Sequence, residues 1–150
     1  MLRLRYALIP FIMREGQHCG KSGRAIISHL LLDYPKDPNV WSIDTQYLFG
    51  RDMLVAPIMN DEGIRDIYLP EGDWVDFFTG ESFCGSTWLR RVQYPLERFP
   101  VFVKKGAVIP LYPEIIPSTV EMDLSKVIEC KIDTSFRGIY RVPEKLFDNT

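Results

Sequence analysis

The chain has 150 residues, 46% hydrophobic and 25% charged, the balance of an ordinary globular protein with room for one domain or for pieces of two. A formal net charge of −2 gives no electrostatic footprint for nucleic acid or for an anionic membrane surface. No apolar run approaches the roughly 20 residues of a membrane-spanning helix.

Cys19, Cys84 and Cys130 are odd in number, widely spaced and without a CxxC pair, which argues against a disulfide framework and against zinc. His18 and His29 add no metal spacing to them, so neither a metal nor another cofactor is expected. The opening MLRLRYALIPFIMRE is basic and apolar like a secretory leader, but Arg3, Arg5 and Arg14 recur through it and Pro10 breaks its apolar core. Free thiols without a clear leader set a cytoplasmic expectation.

Residues 2–17 read as a helix. Leu4, Ala7, Leu8 and Phe11 follow the three-and-four spacing of one apolar face, which Ile9, Ile12 and Met13 widen. Pro10 should kink it, and Gly16, Gly20 and Gly23 should end it. The run from Ala25 to Leu32, AIISHLLL, is almost continuously apolar. Its length and its Gly and Pro flanks favour a strand, and apolar residues on both faces favour a central one with parallel neighbours. Asp33, Tyr34 and Pro35 end that run, residues 36–39 carry turn chemistry, and residues 44–49 could form a short helix. Residues 47–57, YLFGRDMLVAP, then mark a joint between an α/β part and an all-β part, with residues 54–58 as the first strand of the latter.

Beyond the joint the period changes. Residues 64–69 and 74–78 are short runs split by Pro70-Glu71-Gly72-Asp73, a hairpin signal. Thr79, Gly80 and Glu81 make the next turn. Residues 87–94 alternate in part, and residues 100–103 and 107–111 flank a turn at Lys104, Lys105 and Gly106. Short strands at this spacing indicate an antiparallel sandwich. Residues 112–119 read as a linker, and 127–132 and 139–142 as the opening strands of a further unit.

The blocks RYALIPFI, LDYPKDPN, DTQYLFGRDMLVAPI, IYLPEGDWVDFFTGE and FPVFVKKGAVIPL, in this order, resemble the C-terminal part of a family 31 glycoside hydrolase, the family of α-glucosidases and α-xylosidases. The resemblance runs from about Arg5 to Leu111 and more weakly beyond. It implies that residues 1–52 are the terminal piece of a (β/α)8 catalytic barrel, with Ala25 to Leu32 as its last strand. Residues 53–111 would be a proximal β-sandwich domain, and 112–150 a linker and the truncated start of a distal β-domain. The expected fold class is thus mainly β, an antiparallel β-sandwich preceded by the last helix and strand of a barrel. The family often has Met-Arg-Pro-Leu where Ile27, Ser28, His29 and Leu30 stand here, so a large cation is missing. It works by retention with two aspartates, both implied to lie on earlier barrel strands. No position in this chain inherits a catalytic role, and no substrate-binding residue is assigned.

The chain's own carboxylates can be weighed against the requirement for a pair about 5–5.5 Å apart, one with a raised pKa. Asp33 is the best placed, at the end of the apolar run, and Asp37 and Asp44 follow it. The plainer reading makes Asp33, Lys36 and Asp37 solvated turn and cap residues. Asp76 and Glu81 flank a hairpin turn. Trp41, Trp74, Phe77, Phe78 and Trp88 could stack on sugar rings or pack between sheets. Two functions stay open. One is part of a retaining α-glycosidase hydrolysing α-glucosides or α-xylosides, with an oligosaccharide or glycoside as the whole enzyme's substrate and this chain as scaffold. The other is a non-catalytic β-sandwich module for support or weak carbohydrate binding. Without barrel neighbours, Ala25 to Leu32 is expected to drive self-association or to pack against the sandwich. Removing residues 1–34 is expected to leave the sandwich folded and more soluble.

Overall fold

A computed structural model describes residues 2–95, 98–114, 116 and 118–139. Two helices stand where a single kinked one is expected, α1 (Leu2–Ala7) and α2 (Ile9–Ser22). The break falls at Leu8, so Pro10 lies in the first turn of α2, where a missing N–H costs nothing. Gly16 and Gly20 do not end this helix. Gly23 does, with φ of 72° and its N–H on the Cys19 carbonyl.

The apolar run AIISHLLL departs most from expectation. Only Ile27–Ser28 is a strand, β1, and it pairs antiparallel with β2 (Tyr47–Phe49) at the edge of a sheet. It is not a central strand between parallel neighbours. Leu30–Leu32 is instead a 3-10 turn, capped by His29, whose Nδ1 accepts from Leu31 N at 3.0 Å. The N–H groups of Leu32, Asp33 and Tyr34 close back on His29 and Leu30 carbonyls, which removes them from any sheet ladder. Leu30 is fully buried by this turn, while Ile27, Leu31 and Leu32 stay exposed. Residues 44–49 hold strand β2 where a helix is expected. The helical turn lies earlier, at Pro38–Ser42, capped by Asp37.

The remaining strands are β3 (Met53–Val55), β4 (Ile64–Leu69), β5 (Asp73–Asp76), β6 (Ser82–Cys84), β7 (Thr87–Gln93), β8 (Val101–Lys104), β9 (Val108–Leu111) and β10 (Ile128–Lys131). They fall close to their expected places, but several partners differ. β4 and β5 do not form a hairpin. β4 pairs with β7, and β5 with β6 and β8. β8 and β9 flank the expected turn yet lie in different sheets, and β9 pairs with β10. The strand expected to open a further unit at 127–132 is therefore joined to β9. Of the strand expected at 139–142, only Ile139 lies within the described residues, and its N–H donates to Phe77 O.

The principal sheet has six strands in the order β1-β2-β3-β8-β5-β6, all neighbours antiparallel. Both of its faces are covered, so alternate residues of β3, β5 and β8 enter two cores. Met53, Val55, Val75, Val101 and Val103 point to α2 and the β9–β10 pair, meeting Phe11, Ile109, Leu111 and Cys130. Leu54, Trp74 and Phe102 point to the β4–β7 pair and the 3-10 turns, meeting Leu30, Val40, Ile67 and Leu69. Each such side chain contributes about 1.5–3 kcal/mol by leaving water. The molecule is mostly antiparallel β-structure with few helices, an antiparallel sandwich. Among the described residues no buried side-chain polar atom lacks a hydrogen-bond partner, and no helix is long and apolar enough to cross a membrane.

Candidate functional site

The segment that follows the apolar run, DYPKDPN, forms one wall of an open cleft of about 610 Å³. Tyr68 from the end of β4, Glu71 from the β4–β5 turn and Ser86 from the β6–β7 turn form the other. Tyr68 is set by Gln46, a buried amide that donates from Nε2 to Tyr68 O at 2.8 Å and accepts from Tyr68 N at 2.9 Å. The Tyr68 hydroxyl then donates to Asp37 Oδ2 at 2.6 Å and accepts from Asn39 Nδ2 at 3.3 Å. Asp37 Oδ1 takes both Asn39 N and Asn39 Nδ2, each at 3.0 Å.

Burial works to raise the Asp37 pKa, but hydrogen bonds from Tyr68 and Asn39 outweigh it and hold the carboxyl below its ordinary value. The Tyr68 phenol is pushed up to about 12 by burial and then by the Asp37 carboxylate. Tyr34 is also raised to about 12, by burial first and then by Asp33 and Glu71, with Arg24 opposing. Asp37 is thus a fixed anion and acceptor, the opposite of a general acid.

Asp33 lines the same cleft and is paired with Arg24, whose Nη2 also donates to Ser28 Oγ at 3.4 Å. A guanidinium therefore does reach Ser28, the position at which the resemblance to the family implies an arginine. It comes from four residues earlier in the chain. Asp44 is exposed and does not line the cleft. Asp76 is buried, its Oδ1 accepting from Phe78 N at 2.8 Å and Thr79 N at 2.9 Å, and its Oδ2 from the Tyr94 hydroxyl at 2.8 Å. It builds the β5–β6 turn with Glu81, whose carbonyl accepts from Asp76 N.

The aromatics divide. Trp74, Phe77 and Phe78 are core residues, with Trp74 Nε1 donating to Pro70 O at 2.8 Å. Trp88 is half-buried with Tyr68 5.1 Å from its ring centre and the Arg90 guanidinium 4.5 Å from it. Trp41 alone of these five keeps an open ring, 62% exposed, and its Nε1 donates to Pro35 O at 3.1 Å. Sequence reasoning missed Tyr34, Asn39, Tyr68, Glu71 and Ser86 as cleft residues. The cap signal Asp37-Pro38-Asn39 is legible, but nothing local announces that a tyrosine 31 positions later closes on it.

A second charged node lies on the other side of the main sheet. Glu15 of α2 is wholly buried and accepts from Arg51 N and Nε at 3.1 Å each, Arg51 Nη2 at 3.0 Å and Arg14 Nε at 3.0 Å. Burial raises its pKa, and the hydrogen bonds and charge of Arg51 together with Arg14 reverse that, leaving it lowered. Arg14 continues the node to Val108 O at 2.6 Å and Asp52 Oδ2 at 3.4 Å.

Comparison with known proteins gives these features a setting. The family profile for the glycosyl hydrolase family 31 C-terminal domain matches residues 23–109. An isomaltosyltransferase of Sporosarcina globispora is 38% identical over 71% of this chain and 10% of its own length. An α-xylosidase of Saccharolobus solfataricus is 38% identical over 73% of this chain and 15% of its own length. A variant of the Flavobacterium johnsoniae family 31 dextranase, solved with isomaltotriose, superposes with a TM-score of 0.72 at 36% identity, covering 78% of this chain and 15% of that one. A Xanthomonas citri α-xylosidase superposes with the same TM-score of 0.72 at 34% identity, over 80% of this chain and 13% of that one. The chain spans only 10–15% of the length of these relatives. With a profile that takes in more than half of its residues, and relatives 38% identical over more than two thirds of it, the chain belongs to glycoside hydrolase family 31 and carries that family's C-terminal domain.

Proposed function

We propose that this chain is the C-terminal scaffold of a retaining α-glycosidase acting on α-glucosides or α-xylosides, and that the reacting aspartates belong to barrel strands outside it. The observation that carries the reading is the state of its carboxylates. Glu15 is held by two arginines, Asp76 by two backbone N–H groups and a tyrosine, and Asp37 by Tyr68 and Asn39. Retaining hydrolysis needs one carboxyl raised to donate a proton and a second free to attack the sugar. Glu15 and Asp37 are shifted the other way, and Asp76 is committed to a turn.

The node around Glu15 supports the scaffold role. It ties α2, the joint at residues 50–52 and β9 together, so whatever precedes α2 is held in a set orientation to the sandwich.

The test uses the purified chain and a chimera. The chain alone should not hydrolyse aryl α-glucosides or aryl α-xylosides. Residues 5–111 grafted in place of the matching segment of the Saccharolobus solfataricus α-xylosidase should leave α-xyloside hydrolysis intact. Turnover by the chain alone that is lost on Asp33→Asn would overturn the scaffold reading. So would a chimera that melts like the parent enzyme yet is inactive.

A further inference from the structure

The cleft between residues 33–39 and the β4 end is the feature that the scaffold role leaves unused. Its volume of about 610 Å³ lies within the ordinary range of small-molecule sites, about 300–1,000 Å³. Its floor is pre-arranged, because the Tyr68 hydroxyl, Asp37 and Asn39 fix one another. Its rim is not engaged. The side chains of Lys36, Glu71 and Ser86 make no hydrogen bond or ion pair among the described residues. Trp41 stands beside the cleft with an exposed ring, held in place by its bond to Pro35, which itself lines the wall.

Charge narrows the ligand. Asp33, Asp37 and Glu71 line the cleft with a single lysine, Lys36, so phosphate or another anion meets an unfavourable field. Among the described residues no three His, Cys, Asp or Glu side chains converge to hold a metal ion, so the carboxylates do not form a cation site. A neutral ligand dense in hydroxyls fits what is left. Its hydroxyls donate to the carboxylates of Asp37 and Glu71 and to the Asn39 side-chain oxygen, and accept from Lys36 and the Ser86 hydroxyl. Its C–H faces lie against aromatic rings.

We propose that this cleft binds the end of a neutral oligosaccharide, with Trp41 as the stacking ring and Asp37, Asn39, Lys36 and Glu71 as hydroxyl partners. The choice of an α-glucan as the sugar rests on the α-glycosidase reading. The existence of the site rests on the cleft.

The test is titration of the full 150-residue chain, isotope-labelled, with isomaltotriose, followed by the Trp41 indole resonance and the backbone amides of residues 33–39, 68, 71 and 86. These resonances should shift together and saturate. Trp41→Ala and Glu71→Ala, both at exposed side chains, should each weaken binding about tenfold without changing the melting temperature. Val120→Ser, on a distant exposed turn, should leave it unchanged. Absence of saturable shifts overturns the proposal, as does a response of the same resonances to calcium chloride or inorganic phosphate but not to the sugar. Assaying the same sample on aryl α-glycosides separates the two readings. No binding and no hydrolysis removes this site and leaves the scaffold role standing, whereas hydrolysis by the chain removes the scaffold role whatever binds in the cleft.

Discussion

Glu15 has no exposed surface and still keeps its charge, because two guanidiniums replace the water it has lost. Glu15→Gln leaves Arg51 without its anion. Arg51 is 42% exposed and regains water, so the expected loss is about 1–3 kcal/mol, below the roughly 3–5 kcal/mol of a fully buried pair. The pH dependence follows from the direction of the shift. A carboxyl lowered in the fold binds fewer protons there than in the unfolded chain, so stability rises with pH across the window between the two values. The Glu15 contribution should be complete above its unfolded value of about 4.5 and vanish as pH falls through the lower folded value. Urea melts from neutral to acid pH should show this loss in the native chain and a shallower one in Glu15→Gln. Gly50 belongs to the same node. Its φ is 65°, and a Cβ there would lie 2.7 Å from Glu15 Cγ. Gly50→Ala should cost about 1–3 kcal/mol from the backbone alone and more from the collision. In a Glu15→Ala background the collision disappears, so a double-mutant cycle should show a smaller Gly50→Ala penalty. Additivity would mean that Glu15 moves aside freely.

β3, β8 and β5 are the elements buried on both faces. Met53 to Val55 and Val101 to Val103 are all within the core, and both strands have hydrogen-bonded neighbours on each side. β1 and β6 are edges, and β1 is only two residues long. Local opening is therefore easiest at the edges and hardest in the centre. Amide exchange should be slowest at Leu54, Val75 and Val103, and faster by orders of magnitude at the β1 and β6 edges. If α2 proves the most protected element, the helix and not the sheet centre is the last part to open. The element scale also shows why AIISHLLL is not a long strand. His29 caps its own following turn, and that local bond wins over pairing.

At the scale of the molecule, the N-terminal helix is not an appendage to the sandwich. Phe11 is fully buried in the same cluster as Met53, Val75 and Ile109 and lies 5.6 Å from the Phe49 ring. Tyr112 N donates to Ala7 O at 2.8 Å, joining α1 to the segment after β9. Phe11→Ala should cost about 3–5 kcal/mol, most of the margin of a typical domain. Deletion of residues 1–34 removes Phe11, Glu15 and Leu30 together. It should therefore lower stability and expose one face of the main sheet, which reverses the expectation of a more soluble core. Gel filtration and urea melts check this. A truncated chain that elutes as a monomer and unfolds at the native midpoint would show that the helix contributes nothing.

What the amino-acid order determined by itself is local. Ile64 to Leu69 forms a strand with the bounds its pattern predicts, and the turn at Thr79, Gly80 and Glu81 closes as its residues require, with Gly80 N on Asp76 O. Alternation and turn chemistry act over a few residues, so they are legible without a fold. The ordered blocks from RYALIPFI to PVFVKKGAVIPL carried the family for the same reason, as strings. Partner choice was decided only by the tertiary structure. β4 joins β7 and not β5, because backbone N–H and C=O groups are the same on every strand and carry no address. The selection is made by which side chains meet across each pair, Tyr68 opposite Trp88 on β4–β7 and Val75 opposite Val103 on β5–β8. The cleft follows from that selection. Asp37 reads as a turn residue until the β4–β7 pair brings Tyr68 against it, and no periodicity in the sequence links positions 31 residues apart.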